Sequence, residues 1–203
     1  MKHQLNFLFA GLLTFQVLQA QDNEIKDIYQ TYNARNFRTN KMLHKKVSLE
    51  HVDYDLLNAA VFFCTNEQRL KYKKHELNYV SALENAAFIH SKQMGDLSFF
   101  SHVNNMDEKL KGPTERGKQC GITNPFLAEN IVSFYSTDIA QFSYIEIADK
   151  LMSLWKSSKP HWKNILSGDA LQLGCGVYYV SEESGGTFYG TQNFQYFEPV
   201  MSK

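Results

Sequence analysis

Hydrophobic side chains recur at helical spacing in three segments of the chain. The first helix is predicted over residues 53–73 and the second over 81–95, where Ser81 and Glu84 fit the pattern of an N-terminal capping box. The third is predicted to open near residue 138 and to close before Pro160. The apolar faces of the three helices carry Leu57, Ala60, Val61 and Cys64; Leu83, Ala86, Ala87, His90 and Met94; and Tyr144, Ile147, Ala148, Leu151 and Trp155.

Shorter patterns predict the remaining elements. Residues 106–121 hold helical pieces interrupted by glycine and proline, and we expect single turns there. A strand is predicted over 128–135, a short helix over 160–166, and a β-hairpin over 171–180 and 187–197. Because the helices come first and the longest strand signals come last, the order predicts an α+β domain whose helices pack on a mostly antiparallel sheet.

The N-terminus has the features of an export signal. Residues 1–20 combine a basic start, an apolar stretch and a small residue before Gln21. We therefore predict a signal peptide over 1–20, a polar N-terminal arm over 21–52 and one folded domain over 53–203. The mature protein is expected in the periplasm or outside the cell, without a transmembrane segment once the signal is removed.

The charge balance argues against nucleic acid as a partner. The 203 residues include 21 Lys and Arg and 21 Asp and Glu, and no run of basic residues creates a local positive patch. The hydrophobic content of 43% is enough for one core.

Three cysteines are an odd number for a compartment in which disulfides form. Cys64 lies on the apolar face of the first predicted helix, where a buried thiol acts as a small hydrophobic side chain. This leaves Cys120 and Cys175 as the candidate disulfide.

Two histidines stand apart from the others as candidates for chemistry. His102 follows an aromatic pair in a loop, and His161 falls in the first turn of the helix at Pro160, where the helix dipole favours a neutral ring. Glu129, at the start of the predicted strand, is the best candidate acid to meet them. His90 is predicted to be a hydrogen-bonded core residue, and the histidines in polar segments are predicted to lie on the surface: His44, His51 and His75.

A series of motifs in register resembles the bacterial branch of the CAP superfamily, whose SCP domains include cysteine-rich secretory proteins, antigen 5 and pathogenesis-related proteins. The resemblance covers residues 53–197 and rests on "TNEQR", "LENAAFIHSKQM", "FFSH", "AENI", "SSKPHWKNIL", "LGCGV" and "TQNF". It implies a three-layer α-β-α sandwich.

The resemblance also implies a site. Family members with the full site place two histidines and two glutamates in a central cleft, and some bind zinc or another divalent cation there. By motif, three positions carry over to His102, Glu129 and His161, which are the predicted cleft and metal-ligand residues. The fourth position differs from the family pattern, because this chain has Ser158 where many eukaryotic members have a glutamate. Three ligands with an open position for water would still be a recognised arrangement for zinc.

Three functions remain open on this sequence. The first is a secreted, non-catalytic binding module whose cleft holds a divalent cation or a small, lipid-like ligand. The second is a hydrolase or protease in which Glu129, a neutral histidine and a bound metal activate water. The third is a structural or interaction protein in which the same residues only join the layers. No nucleophile motif accompanies the histidines, so we favour the binding module over the enzyme.

Overall fold

The computed structural model describes residues 28–197, so the predicted signal peptide lies outside the described residues. Residues 28–31 are helical, and residues 34–197 belong to one compact unit. Of the described residues, none forms a helix with the length and apolar character needed to cross a bilayer. The main elements are helices α1 Tyr54–Lys71, α2 Ser81–Asp96, α3 Pro113–Gln119, α4 Tyr144–Ser157 and α5 Lys159–Ile165, and strands β1 Asn78–Tyr79, β2 Leu127–Ser136, β3 Gln172–Glu182 and β4 Gly185–Gln195.

The four strands form one sheet in the order β1-β3-β4-β2. The hairpin β3–β4 and the pair β2–β4 are antiparallel, and only the two-residue strand β1 runs parallel to β3. The α+β class with a mostly antiparallel sheet is therefore confirmed. The pairing of β2 with β4 places Glu129 opposite Asn193 and Asn130 opposite Gln192.

Helices cover both faces of the sheet, which confirms the three-layer α-β-α architecture. Strand β3 turns Gly174 and Gly176 toward α2, whose backbone passes so close that a Cβ on Gly174 would lie 2.1 Å from the amide nitrogen of Glu84. Alternate residues point the other way. On that side α1 contacts the strand through Asn58, whose side-chain oxygen accepts a hydrogen bond from the Val177 amide at 2.8 Å.

One predicted capping box and one predicted helix start differ from the structure, while α2 begins at Ser81 as predicted. The Ser81–Glu84 capping box does not form, because Val80 is the N-cap residue and Glu84 is buried in the interior. Helix α4 begins at Tyr144 rather than near residue 138, and a capping box between Ser143 and Glu146 fixes this start.

The predicted N-terminal arm is more structured than its polar pattern indicates. Two short 3-10 helices span Phe37–Thr39 and Lys41–His44, and Phe37 and Leu43 are fully buried in the core. Arg38 donates to Glu67 at 2.8 Å and 2.9 Å and to Asp149 at 2.8 Å and 3.0 Å. Residues 34–52 of the predicted arm therefore belong to the same compact unit as residues 53–197.

The predicted disulfide is absent, because all three cysteines are free. Cys175 lies in the middle of β3, fully buried beside Thr65 and Gln192. Cys120 is half-buried at the end of α3. The sequence argument chose this pair by elimination among three cysteines. The number of cysteines does not show where the helices and strands place each thiol, and here they leave all three unpaired.

Candidate functional site

The structure brings His102 and Glu129 into direct contact. Glu129 is the third residue of β2, and His102 lies in the loop of residues 97–112 that joins α2 to α3. The His102 Nδ1 atom lies 3.0 Å from Glu129 Oε1. The two side chains differ sharply in exposure, since 48% of the His102 side chain is exposed and only 2% of the Glu129 side chain.

A buried arginine completes the environment of Glu129. Arg116 on α3 donates through Nη2 to Oε2 at 2.7 Å and to Oε1 at 3.0 Å. The same guanidinium donates to the carbonyl of His102 at 3.2 Å, so it holds both partners of the contact. Sequence reasoning missed Arg116, because a single arginine within a seven-residue helix gives no sign that it will be buried.

These contacts keep Glu129 ionised. Burial alone would raise the pKa of the Glu129 carboxyl group, but the hydrogen bond from His102 and the positive charge of Arg116 outweigh it and lower the pKa below its usual value. With its side-chain amide oriented to satisfy both neighbours, Asn193 also donates to Oε2 at 3.2 Å and accepts from the Ala87 amide at 3.2 Å.

The imidazole of His102 is oriented by this carboxylate. An ionised carboxylate only accepts hydrogen bonds, so Nδ1 of His102 must carry the proton of the contact. In the neutral ring, Nε2 is then an acceptor with a free lone pair. The arrangement places an oriented acceptor nitrogen on a half-exposed ring above a buried charged pair.

His90 belongs to this site, although the sequence pattern assigns it to the core. The ring on α2 is fully buried, and its Nε2 lies 3.6 Å from Glu129 Oε1, just beyond hydrogen-bond distance. The backbone of Ser101 also attracts the ring without reaching hydrogen-bond geometry, so both ring nitrogens lack a partner among the described residues. Burial lowers the pKa of His90 to about 4, and the attraction of Glu129 offsets only part of this effect. The predicted core position of His90 is confirmed, and the charged group closest to the ring is the Glu129 carboxylate.

His161 lies in the first turn of α5, next to the same site. Burial lowers the pKa of His161, and the nearby His102 lowers it further. Both causes favour the neutral ring. Within residues 28–197, no hydrogen bond joins the His161 ring to Glu129, so His161 borders the contact without entering it.

A buried amide network fixes α5 against the sheet. Asn130 donates to the carbonyl of His161 at 3.1 Å and to the side chain of Gln192 at 3.0 Å, and it accepts from Asn164 at 2.9 Å. Gln192 continues the network into the core by donating to Thr65 at 2.7 Å. Through Asn130, the strand that carries Glu129 therefore also positions the helix that carries His161.

Apolar side chains are exposed along the loop that carries His102. We call Phe100, Val103 and Met106 the apolar rim, because all three are exposed and occupy the chain on either side of His102. Single exposed hydrophobic residues are ordinary, but three within seven residues beside an oriented polar group are typical of a contact surface.

The residues present do not fit the predicted metal site. Within residues 28–197, no group of three or more His, Cys, Asp or Glu side chains lies close enough together to hold a metal ion. The two oxygens of Glu129 already accept from the Arg116 guanidinium, so a positive charge lies against the carboxylate that would bind a cation. We therefore derive no chemistry from zinc at His102, Glu129 and His161.

Solved structures share this fold. An extracellular protein containing an SCP domain from Bacillus anthracis is 26% identical, with a TM-score of 0.53 over 70% of this chain and 40% of the other. The CAP domain of enterococcal PrgA is 15% identical, with a TM-score of 0.51 over 89% and 81% of the two chains. A cysteine-rich secretory protein from Staphylococcus aureus is 16% identical, with a TM-score of 0.50 over 71% and 40%. The chain thus spans about 40% of the length of the Bacillus and Staphylococcus proteins.

The sequence itself also matches a family. No curated protein matches the chain. The profile of the CAP family, described as the cysteine-rich secretory protein family, matches residues 62–194, which is more than half of the chain and includes His102, Glu129 and His161. The match agrees with the resemblance noted in the motifs and with the three-layer fold. The chain belongs to the CAP family of cysteine-rich secretory proteins.

Proposed function

We propose that this CAP domain is a non-catalytic extracellular binding module that takes a small, uncharged ligand with one hydroxyl group and an apolar body. The predicted export signal and the extracellular SCP-domain protein from Bacillus anthracis support the location. The observation that carries the proposal is the contact of 3.0 Å between His102 and Glu129, in which a buried carboxylate orients a half-exposed ring. The free Nε2 of that ring is the acceptor for the ligand hydroxyl.

Charge and surface chemistry support the choice of ligand. The negative charge of Glu129 and the positive charge of Arg116 cancel within 2.7 Å, so the pair attracts neither anions nor cations strongly. The apolar rim next to His102 offers surface to an aliphatic body. A lipid-like alcohol meets both requirements, whereas a fatty acid brings a charge that the site does not compensate.

A binding assay with matched probes tests the proposal. We expect a long-chain fatty alcohol to bind at least tenfold more tightly than the fatty acid of the same length. His102→Ala should weaken alcohol binding about tenfold, because it removes one ligand hydrogen bond. His51→Ala is the control, since His51 is exposed and outside the site. Equal binding of alcohol and acid, or no effect of His102→Ala, would contradict the proposal.

A hydrolase is the second candidate, and the same contact favours it. A carboxylate that orients a histidine through Nδ1 leaves Nε2 free to accept a proton from water. Turnover of ester or casein substrates that is lost in both Glu129→Gln and His102→Ala would support this candidate. Should Glu129→Gln instead lower the melting temperature while ligand binding stays unchanged, the site would have only the structural role of joining the layers.

A further inference from the structure

Both terminal nitrogens of the Arg116 guanidinium donate to oxygen atoms, while its buried Nε has no partner among the described residues. Besides the two carboxylate oxygens of Glu129 and the carbonyl of His102, Arg116 Nη1 donates to the carbonyls of Leu110 and Lys111, each at 3.1 Å. We call these five oxygens the oxygen cage. The oxygen cage joins strand β2, through Glu129, to two parts of the 97–112 loop, at residue 102 and at residues 110–111. The Arg116 side chain is fully buried inside the cage.

The composition of the oxygen cage is the one that a hard cation prefers. Calcium binds in proteins to carboxylate and backbone carbonyl oxygens, tolerates irregular geometry and accepts one carboxylate with both oxygens. The oxygen cage offers one such carboxylate and three carbonyls. In this chain the positive charge comes from a side chain instead.

A second fully buried arginine, Arg69, donates to carbonyls but to no carboxylate within residues 28–197. These carbonyls belong to His75, Ile165 and Ser167 and lie at 2.7–2.9 Å. Besides these carbonyls, the Arg69 guanidinium lies 3.5 Å from His75 Nε2. Arg69 therefore provides a matched control for burial, side-chain size and carbonyl contacts.

We propose that Arg116 is a built-in cation, which fills an oxygen cage that would otherwise bind a divalent ion and so makes the site independent of metal. Its guanidinium neutralises Glu129 and gathers the carbonyls of the 97–112 loop, as a bound calcium ion would. The inference concerns the charge balance around Glu129 and stands whether or not the site binds a lipid-like alcohol.

Rescue of a truncated variant tests the inference. Arg116→Ala should lower the melting temperature by about 10 °C, because it removes the buried positive charge that pairs with the Glu129 carboxylate. Millimolar calcium or guanidinium ion should restore at least half of this loss, while neither should stabilise the wild-type protein or Arg69→Ala. Circular dichroism first establishes that both variants are folded.

Several results would overturn the inference. They are a folded Arg116→Ala variant that responds to neither ion, an equal response in Arg69→Ala, and a calcium-dependent stabilisation of the wild-type protein that Glu129→Gln abolishes. The first of these leaves the ligand assay with fatty alcohols unaffected, so the two proposals fail separately.

A milder pair of variants decides the question if Arg116→Ala does not fold. Arg116→Lys keeps a positive charge in the oxygen cage, whereas Arg116→Met keeps a similar length without charge. We expect the decrease in melting temperature caused by Arg116→Lys to be less than half of the decrease caused by Arg116→Met. Equal losses in the two variants would show that packing, not charge, is what Arg116 supplies.

Discussion

The buried ring of His90 should make the stability of this domain fall as the pH drops from 7 to 4. The pKa of His90 is lowered by burial to about 4, while an unfolded histidine titrates near 6.5. Between these values the unfolded chain binds a proton that the folded chain does not, so protonation favours unfolding. At about 1.4 kcal/mol per pH unit, the loss of unfolding free energy is about 3 kcal/mol, and His90 is fully buried, so solvent screening does not reduce it.

Chemical denaturation at a series of pH values measures this effect. We expect His90→Gln to lose about 3 kcal/mol less than the wild-type protein between pH 7 and pH 4, because glutamine does not titrate. His51→Gln, on an exposed histidine, should follow the wild-type curve. Attraction by Glu129 and repulsion by Arg116 and His102 act on the same ring and are included in its lowered pKa. Parallel pH curves for the wild-type protein and His90→Gln would refute the reasoning.

Three further predictions follow from packing, hydrogen bonding and redox state. Gly174→Ala should lower the unfolding free energy by about 3 kcal/mol, because the new Cβ would overlap the backbone of α2. Gly168→Ala is the control and should change this free energy little, since its Cβ would lie 3.7 Å from the end of a flexible lysine side chain. Thermal unfolding of the two variants measures the difference. Asn130→Ala should cost about 3 kcal/mol by denaturant titration, since the buried Asn130 side chain loses three hydrogen bonds, and should shift the NMR signals of His161. Unfolding without reductant should release three thiols to a thiol reagent, and a count of one would reveal a disulfide.

Periodicity was sufficient to predict the layers of this fold. The apolar faces of α1, α2 and α4 and the alternation in β3 are local properties of the sequence, and each produced the correct element. The two-residue strand β1 has no such pattern, because its pairing with β3 depends on tertiary packing. The start of α4 was predictable, since Ser143 and Glu146 fit a capping box, but the predicted boundary near residue 138 came too early and includes a separate 3-10 helix, Ile139–Gln141.

The site was only partly predictable. His102, Glu129 and His161 differ from their surroundings by residue type, and the family motifs mark them. Arg116 and His90 do not stand out in the sequence, because their importance comes from being buried against Glu129. The distances from Glu129 separate these roles: His102 and Arg116 contact the carboxylate, His90 stops short at 3.6 Å, and His161 borders the site through Asn130.

The most direct test is to determine the tautomer of His102 by NMR of its ring nitrogens, at a pH at which the His102 ring is neutral. We predict a proton on Nδ1 and none on Nε2, because ionised Glu129 accepts the hydrogen bond at Nδ1. In Glu129→Gln the preference for Nδ1 should be lost. A wild-type ring that carries its proton on Nε2 would contradict the account, since no acceptor nitrogen would then be available to a ligand.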